Sequence, residues 1–189
     1  MRLTGGDHGG RLLQVPASGM RPTQDKVRAA VFSTLAAQVP GARVLDLFAG
    51  TGALGLEAWS RGAAWVEWVE DDRGSLRSLR ANLENLKVPP AAGRVLASDV
   101  FKLLGFPCAN EPFDLVLADP PYAEAREKGW LDKLAVLLGR NRWIKPGGVL
   151  VFETEGRDAA AAPAGWRLVR DRTYGSTRVL ILVRAEDAG

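Results

Sequence analysis

Two hydrophobic periodicities alternate along this chain. From Ala42 onward, short apolar runs are separated by stretches in which apolar residues recur at i, i+3 and i+4, the pattern of parallel strands buried on both faces and joined by helices. It predicts strands near 43–48, 64–70, 93–97, 113–118 and 148–153, with helices near 53–61, 72–87, 100–104 and 128–139. Two further runs, 166–173 and 177–184, are separated only by Tyr174-Gly175-Ser176, too short for a parallel crossover, and are expected to pair antiparallel. The fold class is therefore α/β, a mostly parallel seven-stranded sheet closed by an antiparallel C-terminal hairpin. Ahead of it, Gly5-Gly6-Asp7-His8-Gly9-Gly10 suggests a small hairpin ended by Pro16 and Ser18-Gly19. A helix follows, with Thr23 as N-cap and Val27, Ala30, Val31, Thr34 and Leu35 on one face until Pro40. The chain divides into an N-terminal extension, 1–40, and a main domain, 41–189.

At 189 residues and 47% hydrophobic, the chain can build one well-filled core and little more. No apolar run approaches the roughly 18 to 20 residues of a membrane span, and the first residues lack the apolar centre of a signal peptide, so a soluble, cytoplasmic protein is expected. One cysteine, Cys108, and one histidine, His8, give neither an internal disulfide nor a zinc-ligand set, and no metal is expected. His8 reads as a solvated turn residue, Cys108 as a loop residue, and Trp65, Trp68 and Trp166 as packing residues. Trp130 and Trp143 stay open as candidates for the substrate side. The net charge of +3 is unevenly placed: residues 1–28 carry Arg2, Arg11, Arg21, Lys26 and Arg28 against Asp7 and Asp25, while the remainder balances. Such an arm is either a solvated face or a contact for polyanions.

Two loops carry the candidate chemistry. The run Asp46-Leu47-Phe48-Ala49-Gly50-Thr51-Gly52-Ala53-Leu54-Gly55 leads from a predicted strand into a predicted helix, where glycines let the backbone turn sharply and a ligand approach it. Its G-x-G-x-x-G spacing, with Glu70 twenty residues after Gly50, also satisfies the dinucleotide fingerprint. Asp46 separates the readings, because an anion there opposes a pyrophosphate and suits a ligand bearing an ammonium group. The segment resembles the first motif of class I S-adenosylmethionine-dependent methyltransferases. That resemblance implies cofactor contacts from Asp46, Phe48, Ala49, Gly50, Thr51 and Gly52, with Glu70 accepting both ribose hydroxyls. It also places Asp99 and Val100 at the adenine, flanked by Phe101.

The second loop, Asp119-Pro120-Pro121-Tyr122, ends the fourth predicted strand. The prolines stiffen the turn, and the carboxyl ends of such strands are where doubly wound sheets bind ligands. An exocyclic amino group is a poor nucleophile while its lone pair is delocalised into a ring. The Asp119 carboxylate and the Pro120 carbonyl can each accept one N–H and localise that pair, with Tyr122 stacked on the base. The tetrapeptide is shared by adenine, cytosine and guanine amino methyltransferases and by glutamine-amide methyltransferases, so it specifies an amino or amide nitrogen and leaves the substrate open.

The arm narrows the choice. Met1-Arg2-Leu3-Thr4-Gly5-Gly6, Gly10-Arg11, Arg21-Pro22-Thr23-Gln24-Asp25-Lys26-Val27-Arg28 and Val31-Phe32-Ser33-Thr34-Leu35, together with the two loops and Ser60-Arg61-Gly62-Ala63, resemble the RsmD family of bacterial 16S rRNA guanine-N2 methyltransferases. The resemblance implies a class I methyltransferase fold, S-adenosylmethionine as cofactor, and 16S rRNA within an assembling small subunit as partner. Arg2, Arg11, Arg21 and Arg28 are then expected to hold RNA phosphates, Arg21 and Arg28 foremost. Thr23 is a further candidate for the methionine end of the cofactor. A DNA or protein amino/amide methyltransferase, and a nicotinamide-dependent dehydrogenase or plain nucleotide-binding module using the G-x-G-x-x-G loop, are the alternatives.

Overall fold

The computed structural model describes residues 1–15, 22–156 and 161–186. A parallel set of strands forms β1 (Arg43–Leu47), β2 (Trp65–Glu70), β3 (Gly93–Ala97), β4 (Phe113–Ala118) and β5 (Ile144–Glu155), and β6 (Trp166–Tyr174) and β7 (Thr177–Arg184) complete one sheet in the order β3-β2-β1-β4-β5-β7-β6. Both β5–β7 and β6–β7 are antiparallel, as expected of a two-strand return too short to cross over. The order reverses between β1 and β4, so their carboxyl ends open a crevice.

Helices α1 (Pro22–Thr34), α2 (Ala53–Ser60), α3 (Arg73–Asn85), α4 (Val100–Leu104), α5 (Tyr122–Glu127) and α6 (Trp130–Arg140) cover the two faces. Buried residues form two clusters, one around Val31, Phe32, Leu56 and Trp68 and the other around Leu45, Phe113, Leu134 and Leu150. Several boundaries differ from the sequence expectation, among them the start of β5, at Ile144 where a strand near 148–153 was expected. Helix α1 begins at Pro22, where a fixed φ and a missing N–H suit the first turn. The Thr23 side chain lies outside the described residues. Helix α3 is capped by Asp72, whose carboxylate accepts the Ser75 N–H at 2.7 Å, so the helix proper begins at Arg73. Helix α5, directly after the Asp-Pro-Pro turn, was not expected.

The arm is not a separate module. Its first residues pair antiparallel through Arg2 and Leu12, and Leu3, Leu13, Val27, Val31 and Phe32 belong to the same buried cluster as the strands. The docking centres on Glu57 of α2, which is fully buried. Its carboxylate accepts the Thr4 N–H at 2.8 Å, the Thr4 hydroxyl at 2.7 Å, Arg61 Nε at 2.7 Å and Arg28 Nε at 3.2 Å. His8 is a correction: it is half-buried and stacks on Trp59 at 4.2 Å, while its backbone N–H donates to Ser60 Oγ. Asn82 of α3 adds a second anchor, exchanging two bonds with Gln14 and donating a third to the Thr51 carbonyl. The arm and the glycine loop therefore share one support.

Replacing Glu57 by Ala leaves the buried Arg28 guanidinium short of its acceptor, a change that costs about 3–5 kcal/mol when a buried ion pair loses one partner. The urea midpoint should fall, and the Leu3, Gly10 and Leu13 amides, each bonded to a backbone carbonyl within the hairpin, should lose exchange protection. A variant of unchanged stability and unchanged arm protection would show that the arm is held by its apolar contacts alone.

Candidate active site

The glycine loop follows β1 with the backbone wound into the left-handed region at Phe48 (φ 56°), Gly50 (φ 55°) and Gly52 (φ 81°). Glycine makes this inexpensive, but at Phe48 it costs about 1–2 kcal/mol. Two neighbours hold that residue: its ring stacks on Trp130 at 5.2 Å, and Phe101 meets Trp130 edge-on at 5.0 Å. Gly55 is required for a different reason, since a Cβ there would stand 2.2 Å from Trp68 Nε1 and 2.8 Å from Asp46 Oδ2.

Glu70, the last residue of β2, secures the loop from the side. Its Oε2 accepts the Gly50 N–H at 2.7 Å, and its Oε1 accepts the Asp71 and Asp72 N–H groups at 2.9 and 2.8 Å. Three of about four acceptor positions on the carboxylate are thus in use. Asp46 lies behind the loop, 1% exposed, with Oδ2 accepting the Gly55 N–H at 2.8 Å and Oδ1 without a partner among the described residues. Burial drives its pKa well up, against the opposing Gly55 bond, and the Asp119 and Glu70 charges raise it further. The observed role of Asp46 is to hold the loop; it is not on the wall of either cavity described next.

A cavity of about 530 Å³ opens over the strand ends, lined among others by Gly50, Glu70, Asp119, Pro121, Tyr122 and Thr177. A second, of about 230 Å³, lies under the arm and is lined by Arg28, Thr51, Asp119 and Glu153 among others. The two share Phe48, Gly50 and Asp119, so the glycine loop and the Asp-Pro-Pro-Tyr turn meet where the cavities join. Burial lifts the Asp119 carboxyl to about 6, opposed in part by a side-chain hydrogen bond with Tyr122. The Tyr122 hydroxyl also lies 3.4 Å from Thr177 Oγ1, which ties the turn to the start of β7. Asp99 sits at the start of α4, accepting the Lys102 N–H at 2.7 Å, with Val100 buried beside it.

Glu153 escaped the sequence reading. It belongs to β5, is 7% exposed, and is held well above the usual carboxylate range by burial, then by the Asp119 charge, with Arg28 opposing. Its signal was present in Val149-Leu150-Val151-Phe152-Glu153, where an ionisable residue interrupts an apolar strand.

The basic residues fall differently from the charge count. Arg2 and Arg11 are exposed on the hairpin, and Arg21 lies outside the described residues. Arg28 is a correction. At 3% exposure it faces inward, where it donates to Asp25 at 2.8 Å, to Glu57 and to the Arg2 carbonyl, because a buried guanidinium must satisfy its donors within the protein. Exposed Arg167, Arg170 and Arg172 on the edge strand β6 were missed, and Arg170 Nη1 reaches the Thr34 hydroxyl at the end of α1 at 3.2 Å.

Comparisons with known proteins agree with this geometry. A family model described as Conserved hypothetical protein 95 matches residues 1–183. The chain is 38% identical over 177 residues to ribosomal RNA small subunit methyltransferase D of Escherichia coli, covering 93% of this chain and 85% of that protein. The Haemophilus influenzae protein of the same name is 34% identical over 176 residues, covering 93% and 89%. The solved structure of yhhF from Escherichia coli superposes with a TM-score of 0.84 at 36% identity, over 99% of each chain. Matched from the docked arm to the last strand, the chain belongs to the RsmD family of methyltransferases.

Proposed function

We propose that this methyltransferase modifies the exocyclic N2 amino group of a guanine in 16S rRNA, with S-adenosylmethionine as methyl donor. The observation that carries the reading is the convergence of Asp119 and the Gly50 loop at the junction of two cavities, because it sets a nitrogen-positioning carboxylate against the loop suited to the cofactor. The donor set fits such a cofactor: Gly50 and Glu70 line the larger cavity, Glu153 lines the smaller, and Asp119 stands on the wall of both, so carboxylates face a ligand of cationic character. Bound there, S-adenosylmethionine supplies an electrophilic methyl group on a sulfonium.

The residues of the chain supply position and charge. Asp119 and the Pro120 carbonyl accept the two amino N–H bonds and aim the nitrogen lone pair, and Asp119 offsets the positive charge that develops on nitrogen. The Tyr122 bond keeps that carboxylate oriented and leaves the ring beside the incoming base. Phe48, Phe101 and Trp130 form an aromatic wall next to the cofactor loop, adjoining Asp99 and Val100. Guanine N2 in a paired helix is engaged in hydrogen bonding, so an unpaired, splayed-out base is the accessible target, as in a loop of an assembling small subunit in the cytoplasm. Arg2 and Arg11 on the hairpin, with Arg170 and Arg172 on the edge strand, offer guanidinium forks to its phosphates. The relatives named small-subunit rRNA methyltransferases support this substrate. No group of side chains suited to a metal ion occurs among the described residues, and no described helix is long and apolar enough to cross a membrane.

Incubating undermethylated small subunits with the protein and tritiated S-adenosylmethionine, then digesting the RNA, should yield label in N2-methylguanine at one position of 16S rRNA. Label in adenine, cytosine or protein would overturn the substrate assignment. Asp119→Asn should lower the single-turnover rate by roughly 10² to 10³, the loss typical of one preorganised charge-stabilising contact. Because the charged form is the one that accepts N–H bonds, kcat/KM for the wild type should rise with pH through about 6 and level off above it. The Asn variant should lack that limb and gain nothing at high pH; recovery at high pH would instead mark Asp119 as an obligatory base.

A further inference from the structure

The N-terminal hairpin alternates between two environments. Leu3 and Leu13 are buried in the core, whereas Leu12 is 78% exposed. Leu12 bridges Arg2 across the antiparallel pair, so these two side chains leave the same face of the hairpin. A lone exposed leucine is ordinary, but this one borders a hollow of about 370 Å³ between the hairpin and the end of α3. Buried Leu13 and Leu86 form its floor, and Arg11, Leu12, Gln14 and Asn85 form its rim. Asn82 holds only the backbone of Gln14, so among the described residues the side-chain amides of Gln14 and Asn85 have no hydrogen-bond partner. No acid is among the described residues that line the hollow.

A free phosphate would use the arginine and leave the leucines idle, and an apolar peptide would do the reverse. A nucleotide uses all three kinds of group: its base has an apolar face, the edge of that base pairs with an amide that offers a donor beside an acceptor, and its phosphate suits a guanidinium fork. Resting on the substrate reading above, we propose that this hollow seats a second unpaired nucleotide of the RNA, close along the strand to the target guanine, with its base against Leu12 and its phosphate on Arg11. The spacing allows it. Gln14 borders the hollow while Val15, the next residue and about 3.8 Å along the chain, lines the smaller cavity on which Asp119 stands. The physical reason is stacking: splaying out the guanine strips its neighbour of a partner, and an apolar surface on a rigidly anchored hairpin replaces that partner. Leu12, Gln14 and Asn85 bind and position the strand; none is assigned a chemical step.

Single-turnover methylation of undermethylated small subunits, followed against subunit and salt concentration, tests this with the full chain. Leu12→Ser should raise the half-saturating subunit concentration roughly 10-fold, the loss expected when one base gives up its stacking platform, while the maximal rate and the affinity for S-adenosylhomocysteine stay unchanged. Gln14→Ala combined with Asn85→Ala should act in the same direction. Arg11→Gln should lower the salt slope by about one, whereas Leu12→Ser should leave the slope alone, because an apolar contact releases no counterion. These side chains are exposed, so the variants are expected to fold. With p-benzoylphenylalanine in place of Leu12, irradiation of the complex should crosslink the chain to a nucleotide within a few positions of the methylated guanine. Unchanged half-saturation in Leu12→Ser, no crosslink to RNA, or a crosslink to a ribosomal protein overturns the inference and leaves the substrate reading standing. A wild type that labels something other than guanine N2 overturns both.

Discussion

The buried carboxylate of Glu57 is the constraint on which the site depends. It lies one turn into the helix that follows the glycine loop, and it draws to itself a backbone N–H and a hydroxyl from the arm, a guanidinium from α1 and one from Arg61. Burying this charge is worthwhile only with several donors, and the donors come from segments distant in sequence. Meeting that demand folds the arm over the strand ends. Arg28 arrives at the cavity because Glu57 must be neutralised, so the polar economy of the core and the placement of the site are one problem.

The same logic runs in the opposite direction at the carboxyl ends of the strands. Among the described residues no cation is bonded to Asp46, Asp119 or Glu153, and burial pushes all three carboxyls up. Other acids are paired with arginines: Glu57 with Arg28 and Arg61, Glu67 with Arg94, Asp171 with Arg178. Asp119 stands where the two cavities meet, Glu153 lines the smaller one, and Asp46 lies behind the glycine loop. Desolvated acids and a strained Phe48 both cost stability, and both lie at or beside the loop for which a cationic ligand is proposed.

Much of this was legible in the sequence because it is local. Strand β7 and the turn before it follow from a three-residue gap, and the sheet type follows from apolar runs set between helical patterns. The two loops announce themselves through glycine and proline, whose backbone limits are intrinsic. What the sequence concealed is relational. Arg28 counts toward a basic arm in any charge tally, yet its environment is decided by Glu57, 29 positions on. The arginines of β6 were invisible for the reverse reason, since averaging over the remainder of the chain cancelled them against distant acids. His8 has ordinary turn neighbours in sequence, and only the docking of the hairpin supplies Trp59. Glu153 could have been found, because a carboxylate within an apolar strand has to be explained by what faces it.

The position of the arm carries one further consequence for how the two substrates relate. Asn82 bonds to Gln14 on the arm and to the Thr51 carbonyl in the glycine loop, so a displacement of either segment strains bonds to the other. The hairpin shows Arg2 and Arg11 outward, while α1 sends Arg28 inward. A contact that orders the outer face therefore also favours the arrangement of the inner one, since both faces belong to one packed unit and share Glu57 as an anchor. Coupling of this kind needs no moving domain. It requires only that the exposed Arg2 and Arg11 and the wall of the smaller cavity be built from the same short stretch of chain, as they are here.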